Sequence, residues 1–333
     1  MTKQILKHSV VSASLLGLAL IPSTSLAQVG LASKLPGKNQ ATAAAQVASH
    51  RAQTPDSPSY TYTLLSFPGS LYTYAVGTNK GATTSKIEIV GSQGQGGFLV
   101  GVTEKKTVTE AYQPVNYPHA AQQVGASAVN DLGQIVGSYI DASGFYHGYE
   151  RSGGTFTKLN VPFAGATDTL AVAINNSGEV VGTWNGSSGS SHGFTLIGIT
   201  YASFDYPAAT QTAATDVNTA GTIVGYYSDV SGVYHGYLLS GGTYSSFDPP
   251  GSVATFATGI NDTGDIVGTY CITSECVSTS VGEQGFLLSG GVFTTITIPG
   301  EVETGLSDIN NSGAVIGYYH DAAGLVVSFI ATP

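Results

Sequence analysis

The chain has 333 residues and a formal net charge of −10, with only 10% charged residues but 44 glycines and 19 tyrosines. Tightly turning β structure has that profile, whereas helical bundles and disordered tails do not. All eleven lysines and arginines lie at or before Lys158, and residues 159–333 hold fourteen acidic residues, so nucleic acid and anionic lipid are poor partners.

The first 27 residues have the order of a secretory signal. Lys3 and Lys7 precede an apolar core of twelve residues from Val10 to Ile21, then Pro22 and the small residues around Ser25-Leu26-Ala27. That core is too short to span a bilayer, which takes about 20 apolar residues. Residues 28–58, rich in Ala, Gln, Ser and Pro, read as a flexible linker. No later stretch is long and apolar enough to cross a membrane. The expectation is a secreted or periplasmic mature protein, without membrane insertion after signal cleavage, monomeric, its folded domain spanning 59–333.

From residue 60 onward the sequence repeats. Ala-Val-Asn-Asp-Leu-Gly-Gln-Ile-Val-Gly-Ser-Tyr at 128–139 returns at 173–184, 216–227, 259–270 and 308–319, with a degenerate copy at Ile87 to Gly91. The glycine after the β-branched pair falls at 91, 137, 182, 225, 268 and 317, in steps of 43 to 49 residues. Each unit resolves into four short strands. The first ends at an Asn before a tight Asn-x-x-Gly turn, which needs residues tolerant of positive φ. The second is the Ile-Val-Gly run, the third carries His-Gly-Tyr/Phe, and the fourth closes on Pro68, Pro118, Pro162, Pro207, Pro250 or Pro299.

Four strands per unit at this period predict an all-β, six-bladed β-propeller. The sixth unit stops after three strands, and Tyr60 to Pro68 supplies the missing fourth, closing the ring without an exposed edge. The mid-strand glycines are expected to leave room for an aromatic of a neighbouring strand or blade.

The steps His147-Gly-Tyr, His192-Gly-Phe and His235-Gly-Tyr, beside Asn-x-x-Gly-x-Ile-Val-Gly, resemble the HAF-type extracellular repeat proteins of bacteria. The resemblance covers nearly all of 60–331. It departs in having Gly for Ala, and in placing Gly96, Gln284 and Val327 where three units lack the His. It implies an extracellular bacterial protein and no particular activity.

Candidate chemistry is sparse. Cys271 and Cys276 predict a local disulfide in an exported protein, since two thiols without a nearby His make a poor zinc site. His147, His192 and His235 are too widely spaced to share a metal and are expected to bond a loop carbonyl at each blade edge; a ligand pocket on each blade is the alternative. Tyr139, Trp184, Tyr227, Tyr270 and Tyr319 are expected to stack between blades, with Trp184 and Tyr227 as candidate sugar platforms if exposed.

On the channel-facing first strands, Ala128, Ala173 and Gly259 align with Asp216 and Asp308. Two carboxylates can cleave a glycoside at suitable separation, so these are the catalytic candidates, against the simpler reading that they are solvated or cap a turn. The acidic run 261–265 lacks the spacing and distal Glu of a calcium loop and suits a hairpin turn. No His-Glu-x-x-His or phosphate loop occurs, and no cofactor or metal is expected. The reading is a non-enzymatic binding or interaction module for extracellular carbohydrate or another surface protein. The alternative is a secreted polysaccharide hydrolase or lyase with its site at the channel.

Overall fold

A computed structural model of the chain describes residues 60–66, 73–81, 87–93, 96–102, 112–280, 282–301, 303–321 and 325–333. The signal and linker expectations, and Pro68, lie outside the described residues.

Strand β1, Thr61–Leu65, precedes five blades of four consecutive strands. The first blade holds β2 Tyr74–Thr78, β3 Ile87–Ser92, β4 Gly97–Val102 and β5 Gln113–Val115. The second holds β6 Gln122–Val129, β7 Ile135–Ile140, β8 Tyr146–Ser152 and β9 Thr155–Leu159. The third holds β10 Ala166–Ile174, β11 Val180–Gly186, β12 Ser191–Ile197 and β13 Thr200–Phe204. The fourth holds β14 Gln211–Val217, β15 Ile223–Ser228, β16 Tyr234–Ser240 and β17 Thr243–Phe247. The fifth holds β18 Ala254–Ile260, β19 Ile266–Cys271, the short helix α1 Ser274–Thr279, β20 Gln284–Ser289 and β21 Val292–Ile296. In the sixth, β22 Gly305–Ile309, β23 Val315–His320 and β24 Val326–Thr332 are completed by β1. The β1–β24 register runs from Thr61 opposite Thr332 to Leu65 opposite Ser328, so the two chain ends satisfy one another's edge hydrogen bonds. The ring is a six-bladed β-propeller, closed as the repeat count predicts.

The core lies between blades. On each second strand the β-branched pair is buried on both faces, as at Ile135 and Val136 or Val180 and Val181. Burying each such side chain contributes roughly 1.5–3 kcal/mol. The mid-strand glycine is a steric requirement: a Cβ on Gly225 would lie 2.0 Å from the Ala213 carbonyl and 2.9 Å from the Tyr237 ring. The aromatic expected over these glycines is that of the His-Gly-Tyr/Phe step on the third strand.

Each first strand carries a β-bulge, between residues 75/77, 126/128, 171/173, 214/216, 257/259 and 306/308. A bulge re-aims the side chains that follow it. Here it sets one residue per blade at a common level of the inner ring: Gly77, Ala128, Ala173, Asp216, Gly259 and Asp308, each paired with the second member of its blade's β-branched pair or its equivalent.

Candidate functional site

Antiparallel strands divide the loops between two ends of the ring. One end carries the Asn turns between first and second strands. The other carries the loops between second and third strands and the blade-to-blade connectors.

At the Asn end, the repeated asparagines form a chain around the ring. Asn218 accepts the N–H groups of Ala220 and Thr222 on Oδ1 and donates through Nδ2 to the main-chain carbonyl of Asn261. Asn130 donates to the carbonyl of Asn175, Asn175 to that of Asn218 and Asn261 to that of Asn310. Outside it runs a second set of contacts. Asn176 binds the main-chain N–H and a carboxylate oxygen of Asp131; Asn311 does the same for Asp262. The acidic run 261–265 is therefore a turn, its Asp262 also accepting from Thr219 N–H and its Asp265 from Asn261 and Thr263.

Below that ring the two catalytic candidates meet on one cation. Lys80, from the irregular first blade, places Nζ 2.7 Å from Asp216 Oδ2 and 2.5 Å from Asp308 Oδ1, and donates to the Ile309 carbonyl at 3.2 Å. All three side chains are buried. Each carboxylate also accepts main-chain N–H groups: Asp216 from Val217 and Ile260, Asp308 from Thr78 and Ile309. Burial pushes the Asp308 carboxyl up to about 7, against the pull of the Lys80 ammonium. The two aspartates are thus neither solvated nor turn caps of the ordinary kind; each spans from its own strand to the next blade. Lys80 occupies the turn position that holds Asp131, Asn176, Thr219, Asp262 and Asn311 in the other blades. Its signal in the sequence was a lone cation in that alignment, obscured by the irregular first unit.

At the opposite end, the three histidines are placed alike but bond side chains, not the loop carbonyls expected. The turn carboxylate or hydroxyl and the connector residue thirteen positions on reach the ring, because both loops end beside the start of the third strand. His147 lies between Asp141 Oδ2 at 2.8 Å and Asn160 Oδ1 at 2.9 Å. His192 lies between Asp205 Oδ1 at 2.9 Å and Ser190 Oγ at 3.1 Å. His235 lies 2.8 Å from Asp248 Oδ2 and 3.7 Å from Asp229 Oδ2. The bond from His147 and the N–H groups of Phe145 and Ser143 hold the Asp141 carboxyl down at about 2. His192 and His235 leave 26% and 25% of their side chains open, and their partners Asp205 and Asp248 leave 49% and 36%.

The second-strand aromatics lie beneath these imidazoles. His192 stacks on Trp184 and His235 on Tyr227, with ring centroids 4.4 and 5.2 Å apart. A connector aromatic from the preceding blade packs on the other side: Tyr117 against Tyr139 at 4.0 Å, Phe163 against Trp184 at 5.2 Å and Tyr206 against Tyr227 at 3.6 Å. Tyr139, Trp184 and Tyr270 are buried, as stacking between blades predicts; Tyr227 and Tyr319 are half-buried.

Sequence reasoning passed over one more cluster at this end, where the repeat lengthens. Cys271 and Cys276 form the expected disulfide and tie α1 to the end of β19. Just beyond it Glu283 is buried and accepts the Tyr318 hydroxyl at 2.8 Å, while Glu303 pairs with His320 and accepts Gly282 N–H. Burial pushes the Glu283 carboxyl up. The only hint in the sequence was the long last repeat step.

No protein-family model matches the sequence, and no curated protein sequence matches it. Among solved structures, AofleA from Arthrobotrys oligospora is similar with a TM-score of 0.51 at 12% identity, over 81% of this chain and 86% of that one. The six-bladed, fucose-recognising lectin of Aleuria aurantia is similar with a TM-score of 0.47 at 11% identity, over 78% of this chain and 92% of that one. TolB from Acinetobacter baumannii gives 0.45 at 10% identity, over 78% and 54%. These likenesses concern the fold.

Proposed function

We propose that the protein is an extracellular binding module of the HAF-type repeat kind, which engages carbohydrate through the connector end of the ring. The observation that carries this reading is the repetition, on adjacent blades, of a part-open imidazole and carboxylate over an aromatic ring: His192, Asp205 and Trp184, then His235, Asp248 and Tyr227. Carboxylates accept from sugar hydroxyls, and the imidazole and ring edges offer the mixed polar and apolar surface that sugars contact. Trp184 itself is covered, so the imidazole above it, not the indole, would meet a ligand. Identical positions on successive blades suit a polymer with repeated units, because linked weak contacts combine into avidity.

The hydrolase alternative loses support because Asp216 and Asp308 are buried on Lys80. Screening the purified protein on immobilised neutral polysaccharides tests the reading. Binding that weakens at least tenfold in His235→Ala and Asp248→Ala, without release of reducing ends, supports it. Undiminished binding in both variants, or turnover of any retained polysaccharide, would overturn it.

A further inference from the structure

The inner ring contains an arrangement whose chemistry exceeds an ion pair. Lys80, Asp308 and Asp216 put one amine between two carboxyl groups in a buried site, and that charge set costs desolvation for all three groups. The contacts also cross the seam of the propeller: Lys80 follows the first strand of the first blade, and Asp308 lies on the first strand of the last.

We propose that Lys80 and Asp308 are joined by a side-chain isopeptide bond, with Asp216 as the proton-transfer group. The amine and its acceptor are 2.5 Å apart, and both are held in place. Lys80 donates to the Ile309 carbonyl, and Asp308 accepts Thr78 N–H on Oδ2 at 2.9 Å and Ile309 N–H on Oδ1 at 2.7 Å. Fixing two reactants in this way replaces an unfavourable bimolecular encounter. The same two N–H groups face the oxygens on which charge develops during attack.

The resting state is the ion pair. The reaction begins when the Lys80 ammonium gives one proton to the Asp308 carboxylate, leaving a neutral amine and a carboxylic acid. The amine lone pair then attacks Cγ of Asp308, forming the C–N bond and moving the carbonyl π pair onto oxygen. Asp216 takes one proton from the new nitrogen and delivers it to the Asp308 hydroxyl. The C–O bond breaks with its electron pair on the departing oxygen, the carbonyl re-forms, and water leaves. Asp216 ends as the carboxylate it was at the start. An ammonium and a carboxylate become one amide and one water, with no oxidant or reductant.

The product also relieves the site. Two of its three buried charges are replaced by a neutral amide, and Asp216 keeps the N–H groups of Val217 and Ile260. The neighbouring ring positions are small. Gly259 leaves room for the carboxyl where it stands, since a Cβ there would lie 2.7 Å from Asp308 Oδ1. A covalent Lys80–Asp308 link would close the ring on its inner side, as β1 closes it on the outer side.

Intact-mass measurement of the purified, denatured and reduced protein tests this, the mass being compared with that calculated from its observed N-terminus. The expected result is a deficit of one water, and, after chymotryptic digestion, a peptide pair linked through Lys80 and Asp308. Lys80→Arg preserves the positive charge but should show the full mass, as should Asp308→Ala, while Asp216→Asn should leave a mixture or the full mass. A full mass in the unsubstituted protein would overturn the proposal. So would a deficit that persists in Lys80→Arg, or a link from Lys80 to Asp216. The unsubstituted protein decides the matter even where a variant does not fold, and sugar binding has no bearing on the result.

Discussion

Asn175 donates its side-chain amide to the main-chain carbonyl of Asn218, 2.9 Å away on the next blade, while its own Oδ1 holds the turn that follows it. One residue type therefore does two jobs at the four junctions from the second blade to the sixth: it shapes a hairpin and fastens that hairpin to its neighbour.

Asn218→Ala should remove both functions and leave the buried Asn261 carbonyl without its donor, costing about 2–6 kcal/mol if each lost function costs about 1–3 kcal/mol. Asn218→Asp keeps an acceptor for Ala220 and Thr222 but loses the donor to Asn261, so its loss should be smaller. Urea unfolding of the two variants checks the order; equal losses would show that the turn-shaping acceptor contributes nothing, and no loss in Asn218→Asp would show the same of the cross-blade bond.

Removing residues 1–66 takes away β1 and with it the buried Tyr60, Tyr62 and Leu65. The edge of β24 is then unpaired, and such edges recruit other chains. That truncation should aggregate, whereas removal of residues 1–58 should leave the melting curve unchanged. Size-exclusion chromatography and circular dichroism of both forms distinguish the outcomes.

Glu283 is buried with its carboxyl held above the ordinary range, so the native state binds its proton more tightly than the unfolded chain does. Its contribution to stability is therefore greatest below the ordinary Glu value and declines as pH rises through the raised one. Glu283→Gln still offers an acceptor to the Tyr318 hydroxyl and removes the titration. It should flatten that part of the pH profile and raise the midpoint of urea unfolding at pH 7; an unchanged profile would exclude Glu283 as its source.

Trp184 is the sole tryptophan, packed between His192 and Phe163 with its indole N–H donated to Ser203 Oγ. Trp184→Ala should cost about 3–5 kcal/mol, the usual range for a buried large aromatic. In the native protein its emission should be blue-shifted and poorly quenched by acrylamide. A red, readily quenched emission would place the indole in solvent and restore it as a sugar platform.

Much of the architecture was legible because it is local. The Asn-x-x-Gly turn, the Ile-Val-Gly strand and the proline that closes each unit act within a few residues, and their recurrence, five times for the turn and six for the strand and the proline, exposes even the blade that is split between the chain ends. The disulfide was legible for the same reason, with only five positions separating Cys271 from Cys276. The functional geometry was less so. The His147, His192 and His235 positions were visible, but their partners were misread, since Asn160, Asp205 and Asp248 lie thirteen residues on, beyond a hairpin and a strand.

Repetition thus determined the propeller, its number of blades and its closing strand by sequence alone, because backbone hydrogen bonding and burial constrain every unit in the same way. What Asp216 and Asp308 do was decided only in the tertiary structure. Their shared partner Lys80 lies 136 and 228 residues away, in the unit where the pattern is weakest. Ring closure brings the three together, and no local rule of turn or strand records which side chains a closed ring will place at its centre.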